Sequence, residues 1–248
     1  MKVYLYLRNT EDWDNLKDIE DATFWVKGRH GNVRHWNHWC SLSWFEYRQR
    51  LKEICFGAIE SLEIPLLYFG MKGSQQAISV MEDDDFVVPT DDDDFFHPDI
   101  EQFVLDNSDC DVLLWDSVVN QSVCHYGLHK YSKFHSIAGT NSYALRGSYL
   151  KHKTEASMTK HGAVIEQAKK LKANIKDLRQ THEMSCYNWH PGSMSAINAF
   201  RDYLDFPKLF PRNKPLSLPS HWQWLEPWYG QVIDLVQCLR PSNVHLQK

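Results

Sequence analysis

Phe86-Val87-Val88-Pro89-Thr90-Asp91-Asp92-Asp93-Asp94-Phe95-Phe96-His97-Pro98 passes from an apolar run into four consecutive aspartates and back to an aromatic pair. The apolar part has the length and β-branched content of a short buried strand. It delivers the aspartates at its carboxyl end, the edge of an open α/β sheet beyond which ligands bind. Aspartates at i and i+2 leaving a strand can point to one side, which selects Asp91 and Asp93 and leaves Asp92 and Asp94 as the alternative register. A hard divalent cation that shares its coordination with a diphosphate and water asks for such a pair of carboxylates. The plainer reading is an acidic surface loop, against which the apolar anchor before it argues.

Working outward, Lys2 to Leu7 alternates and is rich in β-formers, so an initial strand is expected to end at Arg8. Ser43 stands three residues before Glu46, the signature of a reciprocal N-terminal cap. The apolar stripe Trp44, Tyr47, Leu51, Ile54, Cys55, Ala58, Ile59 and Leu62 then predicts a helix that runs up to Pro65. Pro65 to Phe69 reads as a second strand, Pro98 as the first position of a helix with Ile100, Phe103 and Val104 on one face, and Asp111 to Asp116 as another strand. Further on, Val164, Ala168, Leu171, Ile175 and Leu178 predict a long amphipathic helix. Met194 to Leu204 and Trp228 to Leu239 predict two shorter ones. The rhythm is that of an α/β sheet in a single domain over 1–248, with a half over 1–116 that carries the acidic motif and a half over 117–248.

At 248 residues, with 43% apolar and 24% charged residues, the chain has the balance of a globular protein. The net charge of −5 is unevenly spread: Glu82 to Asp116 holds fourteen acids, and no lysine or arginine lies between Lys72 and Lys130. The rest carries 27 basic against 18 acidic residues. Arg146 to Arg179 alone has nine basic residues and three acidic ones, either a surface for phosphates or a solvated face. The six cysteines are scattered without a CxxC pair and read as buried free thiols. With no apolar run of about 20 residues, the sequence predicts no transmembrane segment and a cytoplasmic protein.

An EF-hand lacks its glycine and closing glutamate, and no P-loop or GxGxxG is present. The loop Arg29 to Trp39, with His30, His35 and His38, lacks the ligand spacing of structural zinc and reads as an aromatic loop. The stretch Phe86 to Asp99 resembles the Asp-x-Asp segment of GT-A-type glycosyltransferases, in which an apolar strand runs into the acidic motif and is followed by an aromatic pair and a His/Glu-Pro-Asp helix start. Ala138-Gly139-Thr140-Asn141-Ser142-Tyr143-Ala144-Leu145-Arg146 is similar to the family's later glycine-led segment, which shapes the acceptor site.

The resemblance implies a Rossmann-like sheet flanked by helices, with a small acceptor-side subregion and C-terminal helices. It implies a nucleotide-sugar donor and Mn2+ or Mg2+ held by Asp91 and Asp93, with His190 in Tyr187-Asn188-Trp189-His190-Pro191-Gly192 as a third ligand. Arg8 and Arg146 are the candidates to meet the diphosphate, and Glu155 the candidate base, where many members have a Glu-Asp pair. The implied acceptor is a glycan, a lipid-linked sugar or a nucleic acid. Two other readings stay open: a nucleic-acid-binding module without catalysis, against which the acidic block argues, and a metal-dependent phosphohydrolase, for which a nucleophile motif is missing.

Overall fold

The structure, a computed structural model, describes residues 1–8, 41–69, 79–122, 125–130, 141–151, 163–188 and 220–236. By its internal contacts the chain divides into two compact units. Met1–Glu11, Phe56–Val119 and Lys130–Tyr187 form the first; Asp12–Cys55, Asn120–His129 and Asn188–Lys248 form the second.

In the first unit, strands β1 (Val3–Arg8), β2 (Leu66–Phe69), β3 (Phe86–Thr90), β5 (Val112–Leu114), β8 (Tyr143–Arg146) and β9 (Ile175–Asp177) make a six-stranded sheet in the order β2-β1-β3-β8-β5-β9. β1 is parallel to both β2 and β3, β8 is antiparallel to β3 and β5, and β9 is parallel to β5. The class is therefore α/β with a mixed, Rossmann-like sheet, as expected. A second sheet has the order β4-β10-β6-β7, built from β4 (Phe95–Phe96), β6 (Asp116–Ser122), β7 (His125–Lys130) and β10 (Glu183–Asn188).

Strand periodicity sorts the core onto the two faces of the main sheet. Val3, Leu5, Leu7, Phe86, Val88, Leu113 and Ala144 pack on one face with Ile59 and Ile64, and with Ile100, Phe103 and Val104 of helix α2 (Ile100–Asp106). Tyr6, Val87, Val112, Leu114, Tyr143 and Leu145 pack on the other. There they meet Tyr149 and Leu150 of α3 (Gly147–Leu150) and Val164, Ile165 and Ala168 of α4 (Ala163–Lys170). All five residues of β3 are buried, as a central strand covered on both faces requires.

Helix α1 (Trp44–Glu60) begins where the sequence places it. The Ser43 N–H donates to Glu46 Oε2 at 2.8 Å and the Glu46 N–H donates to Ser43 Oγ at 3.1 Å, a complete capping box. Tyr47, Leu51, Cys55, Ala58 and Ile59 are buried along its stripe. In the second unit a 3-10 turn over Ser220–Leu225 leads into α5 (Glu226–Val236), the expected final helix, with Leu225, Val232 and Leu235 buried. Among the described residues no helix is long and apolar enough to cross a membrane.

Two expectations need correction. Helix α2 starts at Ile100 with Asp99 as its N-cap, so Pro98 precedes the cap and is not the first helical residue. The long helix to Leu178 stops at Lys170: the Lys172 N–H bonds the Lys169 carbonyl, the Ala173 N–H reaches back to the Ala168 carbonyl, and Lys172 takes a positive φ of 54°. This is a Schellman ending, here with lysine in the left-handed position that glycine usually fills. Ile175 therefore lies in β9 and Leu178 follows it. The expected helix over Met194 to Leu204 lies outside the described residues. Cys55, Cys110 and Cys186 are free and buried, and burial with Asp109 beside it pushes the Cys110 thiol up to about 11.

The capping box yields a prediction with a pH signature. Ser43→Ala is expected to cost about 1 kcal/mol in denaturant unfolding at neutral pH. The bonds from Ser43 hold the Glu46 carboxyl below its ordinary value of 4.5. The stability that Glu46 adds is thus present above that pH and is lost as pH falls through the lower folded value. The gap between variant and parent narrows correspondingly in acid; an unchanged midpoint at neutral pH would show that the cap contributes nothing.

Candidate metal centre

The amino end of β3 is closed by Arg146, which pairs across the ladder with Phe86. Arg146 Nε donates to the Cys110 carbonyl at 2.9 Å, Nη1 to Asp84 Oδ1 at 2.9 Å and Nη2 to the Ser108 carbonyl, while the guanidinium lies over the Phe86 ring at 5.2 Å. Beside it, Lys151 pairs with Asp83, and Asp85, 2% exposed, accepts the backbone N–H groups of Lys2 and Glu82. The Gly147 N–H donates to the Asp85 carbonyl at 2.7 Å, and a Cβ there would run into the Glu82 carbonyl oxygen. This end is a set of matched charges. Arg146, the expected partner of the diphosphate, lies at the end of β3 remote from Asp91 and ties β8 to the segments that carry Asp84 and Ser108 to Cys110. Three of its five N–H groups meet protein oxygens and its face meets Phe86. Lys176 and Arg179 of the basic stretch likewise pair with Asp109 and Asp177, at 2.7 and 2.6 Å.

The carboxyl end of β3 is built differently. Phe86 N donates to the Lys2 carbonyl at 2.8 Å, so residues 86, 88 and 90 turn their backbone groups toward β1 and Pro89 faces the β8 side. Pro89 has no N–H to give, and the β3–β8 ladder ends two residues earlier, at Val87 opposite Leu145. The chain then turns at Asp92–Asp93 and re-enters structure at β4, whose buried Phe95 and Phe96 pair with Cys186 and Ser185 of β10. Asp91 to Asp94 is thus a tight connection held at both ends by buried strands.

Within it, one carboxylate oxygen each from Asp91, Asp93 and Asp94 lie within 4.8 Å of one another. Asp91 and Asp93 are half-buried and Asp94 is fully buried. A turn, and not strand alternation, gathers them, which is why Asp94 joins the pair expected from the sequence. The sheet order adds a second feature. From β1 the chain steps to β2 on one side and then crosses to β3 on the other, so the order reverses between β1 and β3, and the acidic turn leaves the sheet at that switch point. Register sets Leu7 beside Thr90, so the backbone of Arg8 stands at the same edge. His190 and Glu155 lie outside the described residues, as does the aromatic loop Arg29 to Trp39.

No protein-family model matches the chain, and no curated protein matches it. Among solved structures, residues 1–349 of TarS from S. aureus are similar at 16% sequence identity and a TM-score of 0.39, covering 95% of this chain and 81% of that one. A putative glucose-1-phosphate thymidylyltransferase from Bacillus anthracis, solved with a sucrose, is similar at 14% identity and a TM-score of 0.36, covering 85% and 98%.

Three carboxylates held this close repel one another when no cation is present. Asp91→Asn is therefore expected to raise the thermal midpoint of EDTA-treated protein, by up to about 1 kcal/mol in stability, and less so at high salt. A lowered midpoint would mean that Asp91 stabilises the turn in its own right.

Proposed function

We propose that the chain is a metal-dependent glycosyltransferase, moving a sugar from a nucleoside-diphosphate donor to an acceptor hydroxyl, with Asp91, Asp93 and Asp94 holding Mn2+ or Mg2+. The observation that carries this reading is the convergence of three carboxylate oxygens, within 4.8 Å, at the switch point of the sheet. The donor set fits such an ion: oxygen ligands only, few enough to leave positions for phosphate oxygens and water. When bound, the ion would offset the negative charge that builds on the departing diphosphate.

In this reading the chain's own residues take the following parts. Asp91, Asp93 and Asp94 would hold the ion beyond β3, and the ion would supply the contact to the diphosphate end of the donor. Arg8, at the end of the neighbouring strand, is the proposed cationic partner of the diphosphate. The acceptor hydroxyl bonds to the anomeric carbon as the bond to the diphosphate oxygen breaks. Its proton passes to a carboxylate, for which Glu155 is proposed. His190 is proposed as a further metal ligand, and the acceptor as a glycan, a lipid-linked sugar or a nucleic acid.

Thermal unfolding with Mn2+ and a panel of nucleoside diphosphates tests the reading, since a ligand at 100 times its Kd adds about 2.7 kcal/mol to the folded state. The parent is expected to be stabilised by at least one diphosphate with Mn2+ and not with EDTA. Asp93→Asn and Asp94→Asn should lose the effect. Asp99→Asn should keep it, because Asp99 is exposed and makes no side-chain capping bond. Stabilisation that persists in EDTA, or in both site variants, would remove the assignment.

A further inference from the structure

Resting on the glycosyltransferase reading, we propose that the Asn141 side chain binds hydroxyl groups of the donor's sugar. Asn141 is 1% exposed, yet neither Oδ1 nor Nδ2 has a hydrogen-bond partner among the described residues. Burying an amide in that state costs about 1–3 kcal/mol, a cost an apolar residue would not incur. Folded proteins rarely carry such groups without a water, an ion or a ligand to meet them.

The position of Asn141 is fixed by its backbone. Its carbonyl accepts the Trp115 indole N–H at 3.0 Å, the same indole reaches Ser185 Oγ at 3.1 Å, and Trp115 is fully buried. The next carbonyl, of Ser142, accepts the Trp115 backbone N–H at 3.2 Å. Asn141 therefore stands just before β8, at the carboxyl end of β5. Because β8 is antiparallel to β3, its start lies toward the end of β3 that bears the aspartates, on the side where the β3–β8 ladder has ended. Thr90, Asp94, Asp116 and Ser142 are also buried at these strand ends, so this edge concentrates polar groups inside the protein.

The chemistry of the amide narrows the ligand. It offers two donors and an acceptor side by side. Phosphate oxygens only accept, and would leave Oδ1 unmet. A sugar hydroxyl both donates and accepts, and neighbouring hydroxyls satisfy the two ends of one amide together. The edge of a nucleobase shares this property, so the test must separate sugar from base.

Calorimetric titration of the full chain with UDP, UDP-glucose, GDP and GDP-mannose, each with Mn2+, makes that separation for the parent, Asn141→Ala and Asn141→Ser. In Asn141→Ala the unfolding midpoint without ligand should be unchanged or raised, and affinity for the diphosphate should stay within about twofold. Affinity for its nucleotide sugar should fall about tenfold or more, and Asn141→Ser, which keeps a donor and an acceptor, should recover part of that loss. If Asn141→Ala does not fold, Asn141→Asp, which has the same shape but lacks the donors, takes its place for the affinity comparison alone, since a buried carboxylate lowers the midpoint by itself. Equal loss for diphosphate and nucleotide sugar would place the amide on the base or diphosphate and overturn the assignment. So would unchanged affinity for both, with or without a lowered midpoint. A parent that binds no diphosphate with Mn2+ brings down the glycosyltransferase reading and this inference with it; a responsive parent matched by its variant brings down this inference alone.

Discussion

A strand buried on both faces cannot carry charge along its length, and β3 is such a strand. The acids around it are therefore sorted to its two ends. At the amino end, Asp83 and Asp84 meet Lys151 and Arg146, and Asp85 is capped by backbone N–H groups, so that negative charge is spent on holding neighbouring segments together. At the carboxyl end, Asp91, Asp93 and Asp94 are crowded onto each other in a turn whose flanking strands prevent them from spreading apart. The proposed cation site rests on the second arrangement, in which one turn brings three carboxylate oxygens together.

What was legible in the sequence was what local chemistry decides. Ser43 and Glu46 announce a helix start because the two groups that satisfy each other lie three residues apart. The apolar run before Asp91 announces a buried strand because nothing else holds four such residues against four aspartates. The α/β class follows from these pieces, and the order of β1, α1, β2 and β3 follows with it. The position of Asp91 and Asp93 at a strand end was readable for the same reason.

What was not legible depends on contacts between distant segments. Ile175 and Leu178 kept a helical spacing from Val164, and no glycine marks the ending at Lys172, where tertiary packing imposes a left-handed residue. Glu183–Asn188 looks too polar for a strand and becomes one because Ser185 and Cys186 pair with Phe96 and Phe95. Strands β6 and β7 were not expected either. Arg146 followed a family-like segment, but its guanidinium is claimed by the carbonyls of Ser108 and Cys110, which the linear order does not reveal. Asp94 joins the cluster through a turn that four identical residues cannot signal, and Asn141 gains interest only from its burial.

Crystals grown with Mn2+ and a nucleoside diphosphate, measured at a wavelength where manganese scatters anomalously, test the central claim most directly. The account predicts an anomalous peak at the end of β3, within about 2.0–2.4 Å of carboxylate oxygens from at least two of Asp91, Asp93 and Asp94, with diphosphate oxygens on the same ion. Manganese bound elsewhere, or a diphosphate bound away from these residues, would contradict it.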